Sequence, residues 1–130
     1  MPADVAGSRA SMEAILADPA RHLLLATVDG EILGTVDLLI AANLTHHCEP
    51  WAIIENVVVA VRARRRGLGR ALMSRAFEIA AQAGCYKVQL MSAMERGPAH
   101  AFYRDVGMEP RAQGFRIYLD GSTSAPVSSA

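Results

Sequence analysis

Ile54-Glu55-Asn56-Val57-Val58-Val59-Ala60-Val61-Arg62-Ala63-Arg64-Arg65-Arg66-Gly67-Leu68-Gly69-Arg70-Ala71-Leu72 is the stretch on which the fold of this chain turns. It opens inside an apolar run rich in β-branched residues, Ile53 to Val61, interrupted by Glu55 and Asn56, which predicts a buried strand. A basic, glycine-punctuated turn follows, Arg64 to Gly69, and a helical pattern starts near Leu68. Strand, glycine turn and helix together aim several backbone N–H groups at one anion. The first N–H groups of a helix have no internal partner, and the helix dipole is positive there. Glycine lets the backbone approach a phosphate because no Cβ stands in the way. The stretch therefore predicts a phosphate-bearing ligand.

Three kinds of turn fit that geometry. A nucleotide P-loop needs G-x-x-x-x-G-K-[ST], and no Lys-Ser or Lys-Thr occurs in the chain. A dinucleotide fold needs G-x-G-x-x-G/A and an acid about 20 residues on. Here the third position is Leu72, and Gln89 stands where the acid belongs. The third pattern, R-x-x-G-x-G after V-x-V, is spelled by Arg64, Gly67 and Gly69.

With that pattern the chain resembles the GNAT superfamily of N-acetyltransferases. Two further segments carry the resemblance. Ala99-His100-Ala101-Phe102-Tyr103-Arg104-Asp105-Val106-Gly107-Met108 is similar to the family's A-x-x-F-Y-x-x-x-G-F, with Met108 for the usual Phe. Asp29-Gly30-Glu31-Ile32-Leu33-Gly34 resembles its d-G-x-i-v-G hairpin. The resemblance implies a fold and a site. The fold is mixed α/β (α+β), a central, mostly antiparallel mixed sheet flanked by helices. Acetyl-CoA is the implied cosubstrate, without metal. Its pyrophosphate is held by Arg64, Arg65, Arg66, Gly67, Leu68, Gly69 and Arg70, and its pantetheine arm runs beside Val57, Val58 and Val59. A backbone N–H there would also polarise the thioester carbonyl. Tyr103 is implied as the acid that protonates the departing thiolate. The family often has Asn seven positions earlier, where this chain has Arg96.

Glu55 has its own argument. A carboxylate inside an apolar strand is costly unless paired, and burial would raise its pKa towards neutrality, suiting a general base. The competing reading is a structural carboxylate paired with an arginine. For Val57 and Val59 the competing reading is core packing, for Tyr103 a core tyrosine, and for the arginines a solvated or RNA-binding patch.

Thirteen basic and thirteen acidic residues cancel among 130, which argues against a dedicated nucleic-acid binder. The hydrophobic fraction of 52% predicts a folded chain. Its length predicts a single domain over 1–120, followed by a disordered tail over 121–130. Two cysteines, Cys48 and Cys85, make no disulfide framework. A nucleophilic role for either needs a paired histidine that the sequence does not place. No apolar run approaches the roughly 20 residues that span a membrane, and no signal peptide is expected, so a cytoplasmic location is predicted. His46, His47 and Cys48 resemble ligands but lack a fourth partner at suitable spacing. His100 is given no role.

Along the chain, Ser11 is expected to cap a short helix ending by Ala17, with Met12, Ile15 and Leu16 on one side. Met1 to Ser8 is expected to fray. Strands are expected over His22–Val28, Glu31–Ile40, Trp51–Val61, Tyr86–Met91 and from Gly114 to Asp120. Asp29-Gly30 predicts a hairpin turn, and Gly34 a bulge or a close backbone approach. A helix is expected over Leu68–Ala83, buried on Leu68, Leu72, Ala76, Ile79 and Ala83 and capped by Gly84. A second starts at Pro98 with Ala99, Phe102, Tyr103 and Val106 as its apolar stripe. Family members usually have a further strand before Ser11; this chain is expected to lack or shorten it, leaving an edge for a dimer contact or a rearranged N-terminus to cover. The expected partner is a small-molecule or peptide amine, selected by the loop from Ala41 to Pro50, with a homodimer as the family habit. The alternative is an acyl-CoA-binding sensor or regulatory module without turnover.

Overall fold

A computed structural model describes residues 5–122. Two compact units divide the chain, Met1–Leu90 and Met91–Ala130.

The first unit opens with helix α1, Val5–Ala17. It begins seven residues earlier than a cap at Ser11 would allow, and it takes in Val5 to Ser8, which were expected to fray. Ala6, Arg9, Ala10 and Met12 favour helix, and together they outweigh the capping preference of one serine. Residues 1–4 lie outside the described residues. No residue of α1 is buried, and Met12 and Leu16 are exposed. The helix ends at Ala17, as Pro19 requires.

Strand β1, Arg21–Val28, pairs antiparallel with β2, Glu31–Ala41. Asp29 and Gly30 join them with φ of 51° and 79°, the left-handed pair a tight hairpin needs. β2 pairs antiparallel with β3, Trp51–Val59, and β3 pairs parallel with β4, Val88–Gln89. The sheet is thus mixed and mostly antiparallel, in the order β1-β2-β3-β4. β1 is an edge strand.

Two irregularities shape the sheet. The β1–β2 register shifts between Ala26 and Thr27, which leaves Leu33 as an extra residue beside Gly34. The β2–β3 register shifts between Thr35 and Asp37, so that Asn56 and Val57 together oppose Val36. Asn56 takes φ 53° in this bulge. A bulge bends and twists its strand. The β3–β4 ladder stops at Ile53↔Gln89, short of that bend, which is why β4 is two residues rather than the expected six. β3 likewise ends at Val59. Val61–Ala63 forms a 3-10 turn instead.

Helix α2, Leu68–Gln82, covers one face of the sheet. Its buried residues are Leu72, Met73, Ala76 and Ala80, against Val36, Leu38, Ala52 and Ile54 of the strands. The expected stripe was rotated: Ala83 is exposed, while Met73 and Ala80 are core. Arg70, Ser74, Glu78 and Gln82 face outward as expected. Gly84 follows the helix at φ 84°. Gly34 allows the close packing. A Cβ there would sit 3.0 Å from Leu72 Cδ1 and 3.2 Å from the Val58 carbonyl oxygen.

The second unit contains helix α3, Gly97–Asp105, with Pro98 in its first turn and Gly107 at φ 101° after it. The strand expected from Gly114 does not form among the described residues. Phe115 and Leu119 are 85% and 93% exposed. Alternation gives a segment two faces, but a strand also needs a neighbouring edge to bond. The expected tail lies largely outside the described residues.

Candidate functional site

β3 and the turn after it are organised around unpaired backbone. β4 meets β3 only at Ala52 and Ile53. The side of β3 turned towards β4 therefore has no ladder partner from Glu55 to Val59 among the described residues. Val57 and Val59 are half-buried and Val58 is exposed, so the competing reading of this run as core applies only in part. Beyond Val59, Arg64 Nε donates to the Val59 carbonyl oxygen at 3.3 Å and ties the turn to the strand end. The matched arginine of the motif thus braces the loop. Arg65 adopts φ 66°, a conformation that costs a non-glycine residue.

Gly67 is the N-cap of α2 at φ 78° and supplies no side chain to cap the first-turn N–H groups. The first intrahelical bond is Ala71 N–H to the Gly67 carbonyl, 3.0 Å. Nothing lies within 4 Å of where a Cβ on Gly67 would stand. Arg64, Arg65 and Arg66 are exposed around this opening. A helix N-terminus, a bare glycine and three arginines suit a pyrophosphate. The open edge of β3 suits an extended, amide-bearing chain that can pair like an added strand. The residues present therefore fit coenzyme A.

Glu55 departs from expectation. It is exposed, so the desolvation argued for it from the sequence does not occur. The buried carboxylate is Asp37, directly opposite it on β2 and 5% exposed. Arg21 grips Asp37 with both ends of its fork, Nε to Oδ1 at 2.7 Å and Nη2 to Oδ2 at 2.5 Å. That hydrogen bonding raises the Arg21 pKa against the opposing effect of burial, and the charges of Asp37, Asp18 and Glu55 add to the rise. Sequence reasoning missed this pair. The signal was present, because Asp37 interrupts the apolar run Val36 to Ile40 much as Glu55 interrupts its own.

In the second unit, Tyr103 is half-buried on α3, its ring 5.5 Å from that of Phe102. Burial pushes its pKa above the usual tyrosine value, and Arg96 opposes the shift. The hydroxyl thus keeps its proton at neutral pH. His100 shares a hydrogen bond with the Ala93 carbonyl through Nε2, 2.8 Å, which anchors α3 to the segment before it. Ser92 Oγ is buried with no hydrogen-bond partner among the described residues.

The loop before β3 is a separate structure. Asn43 Nδ2 donates to the carbonyls of Thr45 and Glu49, at 3.0 and 3.1 Å. His46, His47 and Cys48 take φ of 49°, 59° and 62° in succession. The His46 ring stacks on Tyr86 at 4.0 Å. β3 has nine residues, so at roughly 3.3 Å per residue this loop lies about 26 Å from the basic turn. Among the described residues no group of three His, Cys, Asp or Glu side chains is placed to hold a metal ion.

A mixed sheet whose third strand runs, bulged and open-edged, into a basic glycine turn defines a class of acyl-CoA-binding folds. The chain belongs to one family of that class, the Acetyltransferase (GNAT) family, whose model matches residues 2–108. It is 34% identical over 100 residues to the aminoalkylphosphonate N-acetyltransferase of Salmonella typhimurium, covering 77% of this chain and 64% of that protein. It is 36% identical over 90 residues to the glucosamine 6-phosphate N-acetyltransferase of Trypanosoma brucei brucei, covering 69% and 59%. The chain thus spans under two thirds of the length of these relatives. Its fold matches the crystal structure of a transcriptional regulator from Bacillus halodurans C-125, with TM-score 0.84, 30% identity, and 91% and 78% of the two chains covered. No helix among the described residues is long and apolar enough to cross a membrane.

Proposed function

We propose that this chain is an N-acetyltransferase that moves an acetyl group from acetyl-CoA directly to a primary amine. The observation that carries the proposal is the edge of β3, which has no ladder partner from Glu55 to Val59 among the described residues and leads into the glycine turn. The thioester supplies an acetyl group already activated for attack. Backbone groups of Val57, Val58 and Val59 bind the donor's arm. The turn from Arg64 to Arg70 holds the pyrophosphate, chiefly through backbone N–H groups. Glu55 takes the proton that the attacking amine must lose, directly or through water. Tyr103 returns a proton to sulfur as the C–S bond breaks and the amide forms. The reading of residues 1–120 as one domain draws support from the family match over 2–108. No metal enters this scheme. A cytoplasmic location rests on the sequence reading.

The two relatives suggest small phosphorus-bearing amines as the acceptors to try first. Calorimetric titration with acetyl-CoA, coenzyme A and ATP is the test. The expected outcome is binding of both CoA species and none of ATP. Absence of CoA binding would overturn the proposal. Thiol release with aminoalkylphosphonates, glucosamine 6-phosphate, aminoglycosides and polyamines then defines the acceptor.

A second reading, a CoA-binding regulatory module without turnover, is favoured by one observation, the regulator of closely similar fold. Replacing Tyr103 by Phe separates the two. An enzyme loses turnover and keeps its ligand, whereas a sensor is indifferent.

A further inference from the structure

On the face of the sheet opposite α2, two carboxylates lie directly across from each other. Asp37 and Glu55 are register partners, and directly opposed side chains stand about 5 Å apart at Cβ. Two like charges at that separation repel. They are treated differently by the fold. Asp37 is buried and both of its oxygens are taken by Arg21. Glu55 is exposed and has no ion pair among the described residues.

Arg21 stands on β1 opposite Leu39, diagonal to Asp37, on the side away from β3. We propose that the Arg21–Asp37 bridge is a positioning device for Glu55: it draws the Asp37 carboxylate towards β1, offsets its charge, and leaves Glu55 as the carboxylate presented to an acceptor amine. Asp37 and Arg21 are positioning residues and do not touch the acceptor. The geometry supports this in three ways. The bridge is bidentate, which fixes orientation as well as charge. Its carboxylate end is removed from water, so its field is screened little. The β3 bulge begins at Asn56, immediately after Glu55, and turns the strand where Glu55 is displayed.

Helix α1, which packs against β1, carries Arg9 and Glu13. Asp18 precedes β1 and acts on Arg21. Lys87 precedes β4 and lies over the Tyr86 ring, 5.4 Å from its centroid. Arg70, Arg75 and Glu78 belong to α2, on the opposite face.

The inference rests on Glu55 being the group that meets the amine, and the two can fail separately. The probe is the Glu55 side-chain carboxyl signal of ¹³C-glutamate-labelled protein, assigned with E55Q and followed against pH in the full chain. It needs no acceptor. R21M leaves the Asp37 charge unopposed, so the Glu55 midpoint moves to higher pH. D37N removes that charge and leaves Arg21, so the midpoint moves to lower pH. A merely structural role moves neither midpoint in a charge-dependent direction. Midpoints unmoved, or moved the same way, would overturn the proposal. Should R21M fail to fold, D37N decides alone: a fall supports the proposal and an unchanged midpoint overturns it. If E55Q keeps full acetyl transfer, the base reading of Glu55 fails instead, whatever the titrations show.

Discussion

At Gly67 the chain takes φ 78° with open space where a Cβ would stand, so conformation and not crowding limits what can replace it. A β-branched residue resists that conformation. Gly67→Val is expected to destabilise the fold by about 1–2 kcal/mol in urea unfolding. It should also weaken CoA binding by roughly tenfold or more in calorimetry, because the N–H groups it aims are displaced. Tyr103 makes a different prediction. Its pKa is raised by burial, so the proton-donating form survives beyond the ordinary tyrosine value near 10. The rate is therefore expected to hold through neutral and mildly alkaline pH and to fall only above about pH 10. In Tyr103→Phe that alkaline fall disappears and kcat drops by roughly 10²–10⁴, with acetyl-CoA affinity kept. A fall beginning near pH 8 would remove Tyr103 as the acid. At this scale the sequence showed the chemistry of each residue but not its surroundings. A carboxylate in an apolar strand is costly unless paired, and the buried, paired one is Asp37, one strand away from Glu55.

Among the elements, the contact of α2 with β2 has the most consequence for the site. Gly34 lets Leu72 approach and so seats the N-terminus of α2 against the end of β3. Gly34→Ala puts a Cβ 3.2 Å from a backbone oxygen, which is not the flexible end of a side chain. It is expected to cost about 1–3 kcal/mol in thermal or urea unfolding. CoA affinity should fall with it, because the helix start moves relative to β3. Adding Leu72→Ala should not restore stability, since it relieves the side-chain contact and leaves the carbonyl one. The sequence marked Gly34 for a close approach from its place in a strand. It did not reveal the bulge at Asn56, because nothing in an apolar run specifies which residue is left unpaired. Nor did it show that the segment after Gly114 stays without a ladder, since strand formation depends on a partner edge distant in sequence.

Over the whole molecule, net charge is zero, and five of the thirteen basic residues lie between Arg62 and Arg70. Attraction for the anionic donor is therefore local and partly screened. CoA affinity is expected to weaken by only a few-fold between about 0.05 and 0.5 M salt, and RNA should not compete. A steep salt dependence with RNA binding would favour the nucleic-acid reading of the arginines instead.

What the sequence determined by itself is the family, the hairpin, the strand–turn–helix and the residues of the anion turn. These depend on local backbone preferences, glycine and apolar periodicity, which neighbouring residues set. What only the tertiary structure decided is which edge of β3 is open, which carboxylate is buried, and how far the His46 loop stands from the turn. Those are settled by pairing between strands, where partners lie far apart along the chain and a shift of one residue changes which groups face water.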